Sequence, residues 1–192
     1  MRFSFHAEQW LPYPIELVFA FFSNPENLPR LMPPWQQAFI EEAAITPPPP
    51  RPSSAPRYPG VVAGPGTRIA LSFRPLAKVP FRVMWEAKIT DFVWNDHFCD
   101  RQVRGPFTSW NHCHKFSPRE RFDSEGFPVD GTIVEDGVDY EIPFGPLGKV
   151  AHELTVRRQL ISTFAYRKKR TAELMPRLAA AVAKFSPETR RA

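Results

Sequence analysis

The sequence predicts an α+β fold in which an antiparallel sheet carries a long C-terminal helix. Three observations predict it. Period-two alternation recurs through residues 67–142. Helical patterns are confined to the segment after the first strand and to the C-terminal stretch. Strands come in runs rather than alternating with helices, which excludes a doubly wound parallel sheet.

Residues 3–11 alternate as a first strand, with Phe3, Phe5, Ala7, Gln9 and Leu11 on one face. Pro14 suits a first helical turn, and Ile15, Val18, Phe19 and Phe22 form an apolar stripe behind it. Ser23-Asn24-Pro25 stops that helix. Asn24 is placed to cap a second short helix over 25–31, which Pro33-Pro34 ends. Residues 35–45 read as the second strand. The stretch "TPPPPRPSSAPRYPGVVAGPG", residues 46–66, reads as an exposed, semi-rigid Pro-rich loop insertion.

Strands follow over 67–74 and 82–93, the latter with Val83, Trp85, Ala87 and Ile89 on one face. Asn95-Asp96 makes a turn. Residues 97–103 and 109–117 form a hairpin around Gly105-Pro106, "SPRERFDSEGFPVDG" is a loop, and 131–142 is the last strand. In the corner "DYEIPFGPLGKVAH", Pro143 ends that strand, Gly145 and Gly148 permit the reversal, and Pro146 opens a helix. Phe144 and Leu147 are set to seal this end. The helical pattern runs to Lys184 and breaks or kinks near Pro176. This gives one domain over 1–185 and a flexible tail over 186–192.

At 192 residues the chain can bury a sizeable core. Hydrophobic residues are 43% and aromatics 14%, with 17 Phe, an excess that suits a thick core or an apolar pocket. The net charge of +5 favours anionic partners weakly. Its late basic residues read as a solvated helix face. No Gly-rich phosphate loop, zinc-finger spacing or RNA-binding aromatic signature occurs, so no specific nucleic-acid partner is expected. No apolar run approaches the ~18 residues that a membrane-spanning helix needs. The N-terminus lacks an apolar signal core, so a cytoplasmic location is expected. Cys99 and Cys113 flank a turn and, if it is tight, face each other across neighbouring strands; two reduced thiols are the expectation in that compartment, with a regulatory disulfide as the alternative.

Three segments carry a family resemblance: "PIELVFAFFSNPENLPRLMPPW" at 14–35, "RGPFTSWNHCHKF" at 104–116 and "GTIVEDGVDYEIPFGPLGKVA" at 131–151. In their order and spacing the chain resembles the START/Bet v 1-like (SRPBCC) superfamily, in its polyketide cyclase/dehydrase-like, ligand-binding branch. The resemblance implies a helix-grip fold, a curved antiparallel sheet of about six to seven strands around the C-terminal helix. It also implies an elongated, mostly apolar cavity between them. Members bind lipids, hormones, polyketides or quinone-like molecules, and a minority catalyse cyclisation or dehydration.

Trp110, His112, His114 and Phe116 share one strand face; Val134, Asp136, Val138, Tyr140 and Ile142 share another. A register placing Asp136 opposite His112 or His114 makes His112, His114, Asp136 and Tyr140 the candidate catalytic set. A carboxylate would orient an imidazole that acts as general base or acid. The same residues also fit a buried His–Asp pair that fixes strand register. For a metal, the third ligand would be Asp136, Asp100 or Cys99; neither HExxH nor paired CxxC occurs, and no metal or other cofactor is expected.

The apolar positions of the long helix, Leu147, Val150, Ala151, Leu154, Ile161, Phe164 and Ala165, leave Arg157 and Arg158 at inward positions. An inward arginine either holds an anionic group of a ligand or snorkels and pairs at the surface. Phe73, Trp85 and Phe81 are candidate aromatics for the cavity or core. The ligand-binding candidates are Phe73, Trp85, Trp110, His112, His114, Phe116, Tyr140, Leu154, Arg158 and Ile161. The expected partner is a small hydrophobic molecule; a homodimer through a strand edge or the long loop stays open. Three function classes remain: a binding module, a cyclase or dehydratase, and an interaction protein acting through its basic helix or Pro-rich loop.

Overall fold

A computed structural model describes residues 1–52, 58–76, 79–143 and 152–185. Seven strands form one antiparallel sheet in the order β1-β9-β6-β5-β4-β3-β2. These are β1 (Arg2–Leu11), β2 (Phe39–Ala44), β3 (Arg68–Phe73), β4 (Val83–Val93), β5 (His97–Arg104), β6 (Ser109–Pro118) and β9 (Thr132–Glu141). A second, two-stranded ribbon, β7 (Arg121–Phe122) with β8 (Pro128–Val129), stands where the sequence reads as a loop. The first strand lies beside the last, paired from Arg2↔Glu141 to Leu11↔Thr132. This pairing places β9 between β1 and β6 and turns its inner face toward the C-terminal helix. The expected α+β helix-grip architecture is therefore the observed one.

Helix α1 (Ile15–Phe22) begins at Pro14 and ends where the Ser23 hydroxyl donates to the Phe19 carbonyl at 2.7 Å. Phe19 is fully buried and meets Phe92, Phe98 and Phe116 edge-on, so α1 plugs one end of the sheet. The expected short helix over 25–31 is two 3-10 turns, Pro25–Asn27 and Pro29–Leu31. Pro29 has no N–H, so the first turn cannot run on. Asn24 does cap it, accepting from the Glu26 N–H at 3.0 Å. A third such turn, Pro34–Gln36, takes the place of the expected start of the second strand.

The ends of the Pro-rich loop are pinned. Thr67 Oγ1 accepts from Thr46 N at 2.9 Å, and Gly64 N donates to Thr46 O at 2.8 Å. A Cβ at Gly64 would overlap the Pro47 carbonyl and Pro48, so only glycine permits this close approach. Arg51 lies over Trp94, whose indole N–H donates to Pro49 O.

The corner residues Phe144, Gly145, Pro146, Leu147 and Gly148 lie outside the described residues, as do Val150, Ala151 and the tail 186–192. A π-helical turn, His152–Val156, leads into α2 (Arg157–Phe185), which continues through Pro176 instead of breaking there. The face of α2 turned to the sheet carries Leu160, Phe164, Thr171, Leu174 and Met175. The observed phase therefore differs from the expected one by about one residue. Leu154 is 62% exposed, Ile161 is 50% exposed, and Arg157 and Arg158 are exposed. The reason is chemical: the true inner face also holds Thr163, Arg167 and Thr171, which interrupt its apolar periodicity. Phe81, expected in the cavity or core, is also exposed.

Cys99 and Cys113 are directly opposed on β5 and β6 and joined by a disulfide, not left as two thiols. Alternation places Cys113 on the outer face of the sheet, behind His112 and His114. No helix among the described residues is long and apolar enough to cross a membrane.

Candidate functional site

Between sheet and α2 lies a cavity of about 260 Å³. Strand alternation brings Leu71 and Phe73 from β3, Trp85, Ala87 and Ile89 from β4, and Trp110 from β6 into its wall. Leu160 and Phe164 face them from α2, and Phe107 comes from the β5–β6 turn. Trp85 stands edge-on to Trp110 at 4.9 Å, with Phe107 packed on both. A bulge between Ile89 and Asp91 shifts the β4 alternation, so Phe92 rejoins the inner face beside α1.

Into this apolar wall the sheet projects a polar cluster. The β6–β9 register sets His114 opposite Asp136, and the β5–β6 register sets Asp100 opposite His112. His112 Nε2 is hydrogen-bonded to Asp136 Oδ1 at 3.0 Å. His112 Nδ1 faces Asp100 Oδ2 at 3.6 Å. His114 Nδ1 comes within 2.7 Å of Asp136 Oδ1 but out of line, so this buried atom has no hydrogen-bond partner among the described residues. From α2, Arg167 Nη1 reaches the same Asp136 oxygen at 3.5 Å. Its guanidinium lies between the Phe22 and Phe164 rings, and its buried Nε is likewise without a partner among the described residues.

The electrostatics follow from this crowding. Burial alone pushes the Asp136 carboxyl up. The Arg167 guanidinium and the two histidines outweigh it and hold the group well below the usual carboxylate range. Burial pushes Asp100 up, against the pull of His112 and Arg167, with Asp136 adding to the rise. Burial, then the neighbouring His112, pushes His114 down to about 3. The wall thus offers a carboxyl raised toward its protonated form, a neutral imidazole and a guanidinium, with the ionised Asp136 carboxylate behind them. It can accept hydrogen bonds at one atom and donate them at the next.

Of the ligand-binding candidates, Phe73, Trp85, Trp110, His112 and His114 line the cavity. Phe116 does not; it is buried in the core beneath Phe19. Leu154 and Arg158 point to solvent, and Ile161 borders a separate pocket with Tyr140, His152 and Arg157. Tyr140 is buried, but its hydroxyl is bonded to His152 Nε2 at 2.8 Å and stands outside the main cavity lining. Phe3 stacks on that same His152 ring at 3.6 Å. The expected four-residue set is therefore split: His112, His114 and Asp136 converge, and Tyr140 belongs elsewhere. The inward arginine is Arg167, three residues after Phe164 on the inner face. Asp100 is legible in the sequence only as a metal-ligand alternative, although alternation from Phe98 across the hairpin puts it inside.

With this geometry, comparison with known proteins decides the family. The family model described as polyketide cyclase / dehydrase and lipid transport matches residues 11–165. The chain belongs to the polyketide cyclase/dehydrase and lipid-transport family. No curated protein matches it significantly. The crystal structure of TTHA0849 from Thermus thermophilus is similar at 19% identity and a TM-score of 0.56, covering 93% of this chain and 98% of that one. The X-ray structure of norcoclaurine synthase from Thalictrum flavum is similar at 16% identity and a TM-score of 0.56, covering 91% and 86%. That of Ara h 8.0201 is similar at 15% identity and a TM-score of 0.50, covering 88% and 97%. At these identities the chain shares its fold with the three proteins, and the expected resemblance in fold to Bet v 1-like proteins stands.

Proposed function

We propose that this protein binds a small, mostly apolar molecule of lipid-, polyketide- or quinone-like chemistry in the cavity between sheet and α2. One observation carries the reading. Aromatic and aliphatic walls (Leu71, Phe73, Trp85, Phe107, Trp110, Leu160) surround one polar cluster of Asp100, His112, His114 and Arg167. Such a site takes its affinity from apolar burial, roughly 25 cal/mol per Å², and its orientation from a few placed polar groups. The volume lies just under the ordinary small-molecule range of about 300–1,000 Å³, so a compact ring system fits better than a long unbranched chain. Arg167 Nε and His114 Nδ1 are buried without partners among the described residues, and a carbonyl or hydroxyl of the ligand would relieve both.

A second reading, cyclisation or dehydration of such a molecule, is favoured by one feature. Asp100 is raised toward its protonated form beside a neutral His114, which suits an acid–base pair. Native mass spectrometry of the purified protein tests the first reading. A co-purified or added hydrophobic molecule bound one to one supports it. Absence of any complex across lipids, polyketides and quinones sinks it. Product formation from bound polyketides, lost in Asp100→Asn, would add the second reading.

A further inference from the structure

His112 and His114 lack a third ligand in their own strand, and the chain carries no linear metal motif. The sheet supplies what the linear order does not. Asp100 stands opposite His112 on the neighbouring strand, and ligand atoms of Asp100, His112 and His114 all lie within 4.8 Å of one another. Two imidazoles and one carboxylate on one face form a donor set that first-row divalent ions take with coordination positions left open. We propose that Asp100, His112 and His114 form a binding site for a divalent first-row transition-metal ion, with its open positions facing the cavity.

The protonation geometry of His112 fits. Asp136 only accepts, so His112 carries its proton on Nε2 toward Asp136 Oδ1 and presents the Nδ1 lone pair toward Asp100. Two ligands each about 2.1 Å from one ion sit about 3.0–3.4 Å apart. The His112 Nδ1–Asp100 Oδ2 separation is 3.6 Å, so small side-chain rotations close that edge. Asp136 then takes the part of the outer carboxylate that fixes ring orientation behind a metal-bound histidine.

His114 brings the second imidazole, its ring centre 4.2 Å from that of His112. Its Nδ1 is buried and unsatisfied among the described residues, and movement of the ring onto an ion would let that atom turn into line with Asp136. Charge also favours a dication. With both carboxylates ionised, Asp100 and Asp136 carry two negative charges against the single positive charge of Arg167. All three ligands line the cavity, so water or an oxygen of a bound molecule can reach the remaining positions. The site needs no particular organic ligand, so its failure and that of the binding reading are separately visible.

The surface holds a rival cation site, His97 with Asp91 at 3.1 Å and with Asp96. The test uses the full-length protein, stripped with chelator and titrated with CoCl2 and ZnCl2 by calorimetry and visible absorption. The expected result is one ion per chain and Co²⁺ ligand-field bands of a nitrogen/oxygen site. Asp100→Asn and His114→Gln each weaken binding at least tenfold, Asp136→Asn weakens it about 10–100-fold, and His97→Gln changes nothing. Thermal unfolding of each variant in EDTA separates lost binding from lost fold, and the wild-type Co²⁺ spectrum stands without any variant. No stoichiometric binding by the wild type overturns the proposal. So does binding that survives in Asp100→Asn and His114→Gln, or that disappears with His97→Gln.

Discussion

Asp136 and Arg167 meet across the main interface of the fold, carboxylate Oδ1 to guanidinium Nη1 at 3.5 Å, both side chains nearly buried. The contact ties strand β9 to the inner face of α2. It also joins the two histidines of β6 to the helix through a single oxygen atom. A buried pair of this kind is weak evidence of net stability, because desolvation opposes the attraction. Breaking it by removing one partner is a different matter, since the other charge is left buried and alone.

Asp136→Asn should therefore destabilise the protein by about 3–5 kcal/mol. The double variant Asp136→Asn/Arg167→Leu should recover part of that loss, because it removes the stranded cation as well. Urea unfolding of the two variants beside the wild type checks both signs. Equal stability of the single and double variants would speak against a coupled pair.

Stability should fall with pH on the acid side. His114 is pushed down to about 3 by burial and by His112. In the unfolded chain a histidine titrates near ~6.5. Between those values the unfolded state binds a proton that the folded state refuses, so acid favours unfolding. The slope reaches about 1.4 kcal/mol per pH unit for one such group. Asp136, held low in the fold, adds a loss of the same sign further down. In EDTA, chemical unfolding between neutral pH and pH ~4 should show a shallower decline for His114→Gln than for the wild type.

The phase of α2 is testable at neighbouring positions. Leu160→Ala should cost about 2 kcal/mol or more, because its side chain is buried against the sheet. Ile161→Ala and Arg158→Ala should stay within about 0.5 kcal/mol of wild type, as exposed substitutions do. A large loss at Ile161 with none at Leu160 would restore the phase read from the apolar residues alone.

The Cys99–Cys113 disulfide closes a short loop, with a sequence separation of 14. A crosslink of that span contributes about 3 kcal/mol. Cys113→Ser should cost about 2–4 kcal/mol in non-reducing buffer and little in reducing buffer. Intact-mass measurement after alkylation without reductant should find both cysteines unmodified.

The strand faces are legible in the sequence because period-two alternation is nearly unbroken in β6 and β9. Trp110, His112 and His114 share a face with Asp136 as soon as a hairpin-like register is assumed. The α2 face is not legible, because its inner stripe mixes Leu160 and Phe164 with Thr163, Arg167 and Thr171, and Arg167 turns to the cavity and to Asp136. A cavity puts polar residues where a packed core would put apolar ones, so hydrophobic periodicity misleads at such a site. Tyr140 escapes the expected set for a related reason. Alternation gives the face of a residue but not its height, and height sends its hydroxyl to His152 instead of His112. Asp100 needs two strands read together, which only the β5–β6 register supplies.

The proposed function requires that the space walled by Trp85, Trp110 and α2 receive an apolar molecule. Ala87 lies in that wall with only a methyl group. The direct measurement compares binding of a fluorescent apolar probe by the wild type and by Ala87→Trp, with unfolding curves confirming that both are folded. The expected result is saturable one-to-one binding by the wild type and at least a tenfold weaker complex in Ala87→Trp. Equal binding by the two proteins, or none by the wild type across lipid, polyketide and quinone competitors, would contradict it.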